Sequence, residues 1–305
     1  MSTGTILIVH PKGTAVTTHL IEKGHRVHAL VRDLAEETAL EVKSIGATLF
    51  EGAVDDADAI SRAVAGCTGL YFNLMPTFND ENQVEQAKVI LQAAKTAGVK
   101  HVIYNSSLAV GKQEERKQWD SKNPASAVLH DKQATEELVR QAGFETWTIL
   151  RPGYFMTYFL APLGKYMYPE LGSKGELVSS FQPNTVLPVI DPNDIAAFNA
   201  AAFSDPKKFG GQEIALAGEL ISVEGLVQAL SKATGKNIKA VYRSADETEA
   251  VLKTNLAAAG QLLALDMNKY VDMEEVKKWG IKLGTTAEFL EREQSRVQNT
   301  FGSGN

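Results

Sequence analysis

The chain has 305 residues, 44% of them hydrophobic, which is enough apolar surface for one large core or two modest ones. A net charge of −6 argues against nucleic acid as the default partner, since phosphate binding wants a basic face. No apolar run approaches the ~18 residues of a membrane helix, and a single cysteine, Cys67, excludes a disulfide within the chain. MSTG leads straight into a strand and leaves no room for a signal peptide, so the expectation is a protein of a reducing, cytoplasmic compartment.

The first stretch, TILIVHPKGTAVTTHLIEKGHRVHALVRD (residues 5–33), reads as strand, tight turn, helix, strand. Residues 6–9 form a continuous apolar run of the kind a doubly covered parallel strand needs, and residues 27–31 are a second β-rich run. Gly13 opens the helix, and Lys23-Gly24 ends it with a basic last turn and a glycine stop. This is the first βαβ crossover of a doubly wound sheet, where a helix N-terminus points at a phosphate. A dinucleotide fingerprint places glycine at three positions in that turn. Of His10, Pro11, Lys12, Gly13, Thr14 and Ala15, only Gly13 is a glycine. Pro11 removes one backbone donor, and the charge of Lys12 can replace it in part.

Residues 34–45 read as a helix with Asp33 in the cap position, Glu36 at capping-box spacing and Gly46 as the stop. Asp33 stands near the place where an acid binds the ribose hydroxyls of NAD, but the N-cap reading is favoured. Arg32 is the better candidate, because a guanidinium there suits the 2′-phosphate of NADP; the alternative is a solvated surface arginine. Strands follow at 48–51, 70–74, 101–106 and 146–150, with helices at 56–65, 80–97 and 124–142. The alternation predicts an α/β fold with a doubly wound, mostly parallel, Rossmann-type sheet. Its binding crevice lies outside the strand C-termini: around residues 10–13, Arg32, Ala53 and Val54, residues 73–76 with Leu74, and Ser106-Ser107.

Residues 112–123 are charged and polar and read as a surface loop. From Met156 on, prolines and glycines become frequent and the elements shorten. The expected division is 1–155 for the nucleotide-binding domain and 156–305 for a smaller, interleaved α+β domain for substrate or partner. There, 186–190 is strand-like and a candidate to return to the sheet. A helix at 192–203, a strand at 213–216, a helix at 222–234 and a strand at 238–243 follow. The rest is helical, including 285–298, opened by a Thr285-x-x-Glu288 capping box. Six scattered histidines without an HExxH pattern give no metal site.

The segments ILIV, LIEKGHRVHALVRD, GATLFEGAVDD, AAKTAGVKHVIYNSS, KQATEELVRQAG, ILRPGYFM and VIDPNDIAA together resemble the NmrA-like group of atypical short-chain dehydrogenases/reductases, close to the isoflavone-reductase-like enzymes. The resemblance implies NADP(H) held by the N-terminal domain and a small organic substrate held by the C-terminal one. It implies hydride transfer to a carbonyl or conjugated double bond, with Lys132 as the proton donor or as the group that holds the nicotinamide ribose. It puts Tyr154, Phe155 and Met156 beside the nicotinamide, with packing at the domain junction as their other reading. Ser106 either bonds a substrate or ribose oxygen or caps the following turn. For Lys132 the alternative is an exposed helix lysine paired with Glu136.

Some members of the group instead sense the NADP(H) ratio and regulate partner proteins. The chain departs from the group in three places. Its first turn is shorter by about three residues than a TGATGxxG-like loop. Gly52-Ala53 stands where Gly-Asp is usual, and Val128 stands where Tyr-x-x-x-Lys places tyrosine. Three readings follow: an NADP(H)-dependent reductase, an NADP(H)-sensing regulator without catalysis, and a cofactor-free isomerase, cyclase or lyase on the inherited scaffold.

Overall fold

A computed structural model of the chain describes residues 3–11, 13–74, 83–108, 110–116, 124–253 and 255–302. The chain gathers into two compact units: Met1–Val110, Val128–Arg151 and Ile195–Ile214 form the first, and Gly111–Ala127, Pro152–Asp194 and Ala215–Asn305 the second. The division is therefore not a single cut near residue 155. Among the described residues no helix is long and apolar enough to cross a membrane.

The first unit is built on β1 (Thr5–Val9), β2 (Arg26–Val31), β3 (Thr48–Glu51), β4 (Gly69–Phe72), β5 (His101–Asn105) and β6 (Thr146–Pro152). With Gln212–Leu216 as a seventh strand, the order across the sheet is Gln212–Leu216, β6, β5, β4, β1, β2, β3. The pairs from β6 through β3 are all parallel. Every residue of β1, β4 and β5 is buried, as a strand covered on both faces by helices requires. The chain runs outward from β1 to β3, then crosses to β4 and runs the other way. The point of reversal lies between β1 and β4, where doubly wound sheets open a crevice at the strand C-termini.

The covering helices include α1 (Ala15–Glu22), α2 (Glu37–Ser44), α3 (Ala57–Val64), α4 (Gln83–Thr96) and α5 (Pro124–Gln141). The core packs Leu7, Leu30, Leu70, Phe72 and Tyr104 of the strands against Ile60 and Val64 of α3 and Ile90 and Leu91 of α4. Asp56 caps α3, its Oδ1 accepting from the Ala59 N–H at 2.9 Å. Asp33 does not cap α2. Its Oδ1 accepts from the Ala35 N–H at 2.8 Å, an Asx turn that delays the helix until Glu37, with Glu36 in the cap position. The predicted start of α4 at Asp80 and the loop of residues 75–79 lie outside the described residues.

In the second unit Val186–Ile190 does not return to the large sheet. It pairs with Tyr154–Phe155 on one side and antiparallel with Glu219–Ser222 on the other. Glu176–Ser179 and Lys239–Tyr242 form a separate parallel pair. The stretch expected as a surface loop turns inward at its start: Gln113 and Arg116 are buried, and Arg116 Nε donates to Asp266 Oδ1 at 3.0 Å. Its remainder, 117–123, lies outside the described residues. The Thr285 capping box is present, but the helix it opens ends at Arg292, and a second helix runs Gln294–Phe301.

Candidate functional site

The first turn is organised by His10. Its N–H still donates to Leu30 O of β2 at 2.9 Å, so the sheet pairing extends one residue past β1. Its backbone then turns left-handed, with φ 48°, and the imidazole Nε2 lies 3.3 Å from Gly52 O just past β3. Because β2 lies between β1 and β3, the ring crosses the C-terminal end of β2. Beyond it Gly13 has φ 109°, and a β-carbon there would meet nothing within 4 Å. Thr14 makes no side-chain cap to α1, and the first turn of that helix holds no acid. Its leading amides are thus not taken by a side chain of their own helix. Lys12 lies outside the described residues.

Arg32 projects from the end of β2 with its side chain 66% exposed, 3.9 Å from Glu36 Oε1. A pair that open holds the guanidinium only weakly. Ala53 is exposed, whereas Val54 is half-buried and packs on the core. Leu74 is a core residue, so its side chain does not line the crevice as expected. At the end of β5, Ser106 is buried with its N–H donating to Leu150 O at 2.7 Å. Its hydroxyl, and Oδ1 of the adjacent Asn105, have no hydrogen-bond partner among the described residues. A buried hydroxyl left open at the C-terminal end of β5 marks a place where a ligand's polar group belongs.

Lys132 lies on α5, only 7% exposed, with Nζ 5.7 Å from the centroid of the Tyr104 ring. Tyr104 is itself stacked on Phe72 at 4.8 Å. Burial brings the ammonium down to about 8, with the charge of Glu136 pulling the other way. The expected alternative, a lysine exposed and paired with Glu136, is not what forms. The Glu136 carboxylate, 1% exposed, accepts from Arg140 Nη2 at 2.8 Å and from Arg151 Nε at 2.9 Å, with Arg151 Nη2 as a third donor. Glu213 closes the square, 2.6 Å from Arg140 Nη2 and 2.7 Å from Arg151 Nη2. Sequence reasoning missed this network. Its legible signal was Glu136-x-x-x-Arg140, the favoured order for a helical ion pair.

Tyr154, Phe155 and Met156 fall in the second unit. Tyr154 is buried, bonds Tyr168 through their hydroxyls at 2.7 Å, and packs edge-on against Tyr158 and Phe181. Met156 is buried, and Phe155 touches Tyr158. His130 is exposed. Among the described residues no group of three His, Cys, Asp or Glu could hold a metal. A cleft of about 560 Å³ lined by Thr5, His25, Arg26 and Thr48 lies at the opposite, N-terminal edge of the strands.

Several of these features fit a dinucleotide: the uncapped start of α1, the open space at Gly13, the exposed Arg32, and the open hydroxyl of Ser106. Against them stands the His10 ring, lying across the strip an adenosine would need. The bond from that ring to Gly52 O is part-buried and 3.3 Å long, and releasing such a bond costs about 0.5–1.5 kcal/mol.

The chain is similar to several known proteins. It is 26% identical over 251 residues to an NmrA-like family domain-containing oxidoreductase of Malbranchea aurantiaca, covering 75% of this chain and 72% of that one. It is 27% identical over 251 residues to an NAD(P)H azoreductase of Xenophilus azovorans, covering 80% or so of each chain in round terms (82% and 78%). Its fold matches the crystal structure of NmrA, a negative transcriptional regulator solved in complex with NAD, at a TM-score of 0.75 and 22% identity over 98% of both chains. The model of the NmrA-like family matches residues 2–290, and the chain belongs to that family.

Proposed function

We propose that the protein is an NADP(H)-dependent oxidoreductase of small organic molecules, with Lys132 as its proton donor. The observation that carries the reading is the state of Lys132: a buried amine near neutrality whose neighbouring carboxylate is already bound by two arginines. A donor tuned toward the working pH is what general-acid chemistry asks for. The dinucleotide would supply the hydride, and the chain the rest. In this reading the leading amides of α1 and the space at Gly13 hold the diphosphate. Arg32 takes the 2′-phosphate and Ser106 a ribose or substrate hydroxyl. Lys132 gives its proton to the oxygen or carbon that becomes anionic, or holds the nicotinamide ribose. The similarity to an oxidoreductase and an azoreductase supports the class of reaction.

A second reading, a dinucleotide-sensing regulator, is supported by the likeness in fold to a transcriptional regulator. Titrating NADPH and NADH against nicotinamide fluorescence, then assaying turnover on a panel of enones and carbonyls, separates the two. The reductase reading expects tighter NADPH binding, loss of that preference in Arg32→Ala, and near-normal binding with reduced turnover in Lys132→Ala. Binding without turnover on any substrate favours the sensor. Absence of binding near millimolar nucleotide leaves a cofactor-free enzyme.

A further inference from the structure

Lys132 and Glu136 are one helical turn apart on α5, a spacing at which lysine and glutamate ordinarily meet. Here they do not. Among the described residues Nζ of Lys132 forms no hydrogen bond or salt bridge, while Glu136 is held by Arg151 of β6 and by Arg140 of the next turn. Glu213 in turn bonds both arginines, so the two guanidiniums are fixed between two carboxylates rather than free to move toward Lys132. We propose that Arg151, with Arg140, is a positioning residue: it holds the Glu136 carboxylate away from Lys132 so that the amine can give up its proton and take it back. The inference rests on the reading of Lys132 as the proton donor, and names what controls that donor.

The physical argument is one of competition for a single buried anion. A carboxylate that bonded Nζ directly would stabilise the ammonium by ~1–3 pH units, and a lysine so held is a poor acid near neutrality. Two guanidiniums, always charged, outbid it with planar, paired donors. Among the described residues, the other titratable groups tied to this spot are Tyr104 of β5, over whose ring the ammonium sits, and Asp131 of its own helix, whose charge reaches the Tyr104 hydroxyl. Neither is an anion bonded to Nζ.

The test reads the lysine and needs no substrate. In the full chain labelled with ¹³C at the lysine ε-carbon, the Lys132 resonance is assigned by its loss in Lys132→Met and followed from pH 6 to pH 11. Arg151→Gln is expected to raise its midpoint by about one pH unit or more, because Glu136 is released toward it. In Glu136→Gln the midpoint should fall. Adding Arg151→Gln to Glu136→Gln should then restore at most a small part of the rise. Arg151→Lys should keep the parent midpoint more nearly than Arg151→Gln does. An unmoved midpoint in Arg151→Gln, or an equal rise with and without Glu136, overturns the proposal. Should Arg151→Gln fail to fold, Arg140→Gln must show the same Glu136-dependent rise or the proposal fails. A shifted midpoint in a protein that turns over no substrate would leave this assignment standing and remove the reductase reading.

Discussion

At His10 a residue with a β-carbon occupies left-handed backbone, φ 48°, where a dinucleotide turn would carry glycine. That conformation costs a non-glycine residue ~1–2 kcal/mol, and the imidazole it sends toward Gly52 covers the C-terminal end of β2. His10→Gly removes the strain and the ring together. It is expected to bind NADPH roughly 3- to 10-fold more tightly than the parent, a gain of about 0.7–1.4 kcal/mol, in the same fluorescence titration. Unchanged affinity would mean that the ring is not in the nucleotide's way. The sequence marked this position, because one glycine where three belong is visible in any reading of residues 10–15. It did not show where the ring points, since that depends on Gly52, far along the chain. The role of Arg151 was hidden for the same reason: its partner Glu136 is on another element and Glu213 on a third.

Among the elements, the two acids that precede α2 and α3 look alike in sequence and behave differently. Asp56 caps α3 through the Ala59 N–H, while Asp33 spends its carboxylate on the turn before α2. Asp56→Ala should therefore destabilise the protein by about 1 kcal/mol and Asp33→Ala by a few tenths, measured by urea denaturation at fixed pH. Equal losses would erase the distinction. The parallel strands were legible because burial on both faces forces unbroken apolar runs, as in TILIV and HVIYN. Residues 186–190 were read correctly as a strand and wrongly offered to the large sheet. Strand character is local, but the choice of partner is not, and Val189 pairs with Tyr154 and Glu219 instead.

For the molecule as a whole, the α/β class and the place of the crevice followed from the alternation of elements, while the passage of residues 195–214 back into the first unit did not. Stability against pH carries a signature of the second unit. Asp194 Oδ1 accepts from the Gly284 N–H at 2.9 Å, while Oδ2 is buried without a partner among the described residues. Burial pushes this carboxyl from 3.8 up to about 7, against the pull of the Gly284 N–H. The folded protein thus keeps a proton that the unfolded chain has released. The associated stability is present in full below the lower value and is lost as pH rises through the upper one. Asp194→Asn should melt a few degrees above the parent at pH 8, with the gap closing toward pH 4. Parallel melting curves across that range would refute the assignment.

The strand Gln212–Leu216 covers the outer edge of β6, yet it is synthesised long after Pro152. At ~5–20 residues per second, that edge would wait roughly 3 to 12 seconds on the ribosome with its amides and carbonyls unpaired. A nascent chain in that interval offers a ready template to any neighbouring extended segment. Its yield in a cell should depend on chaperones that shield such edges during translation.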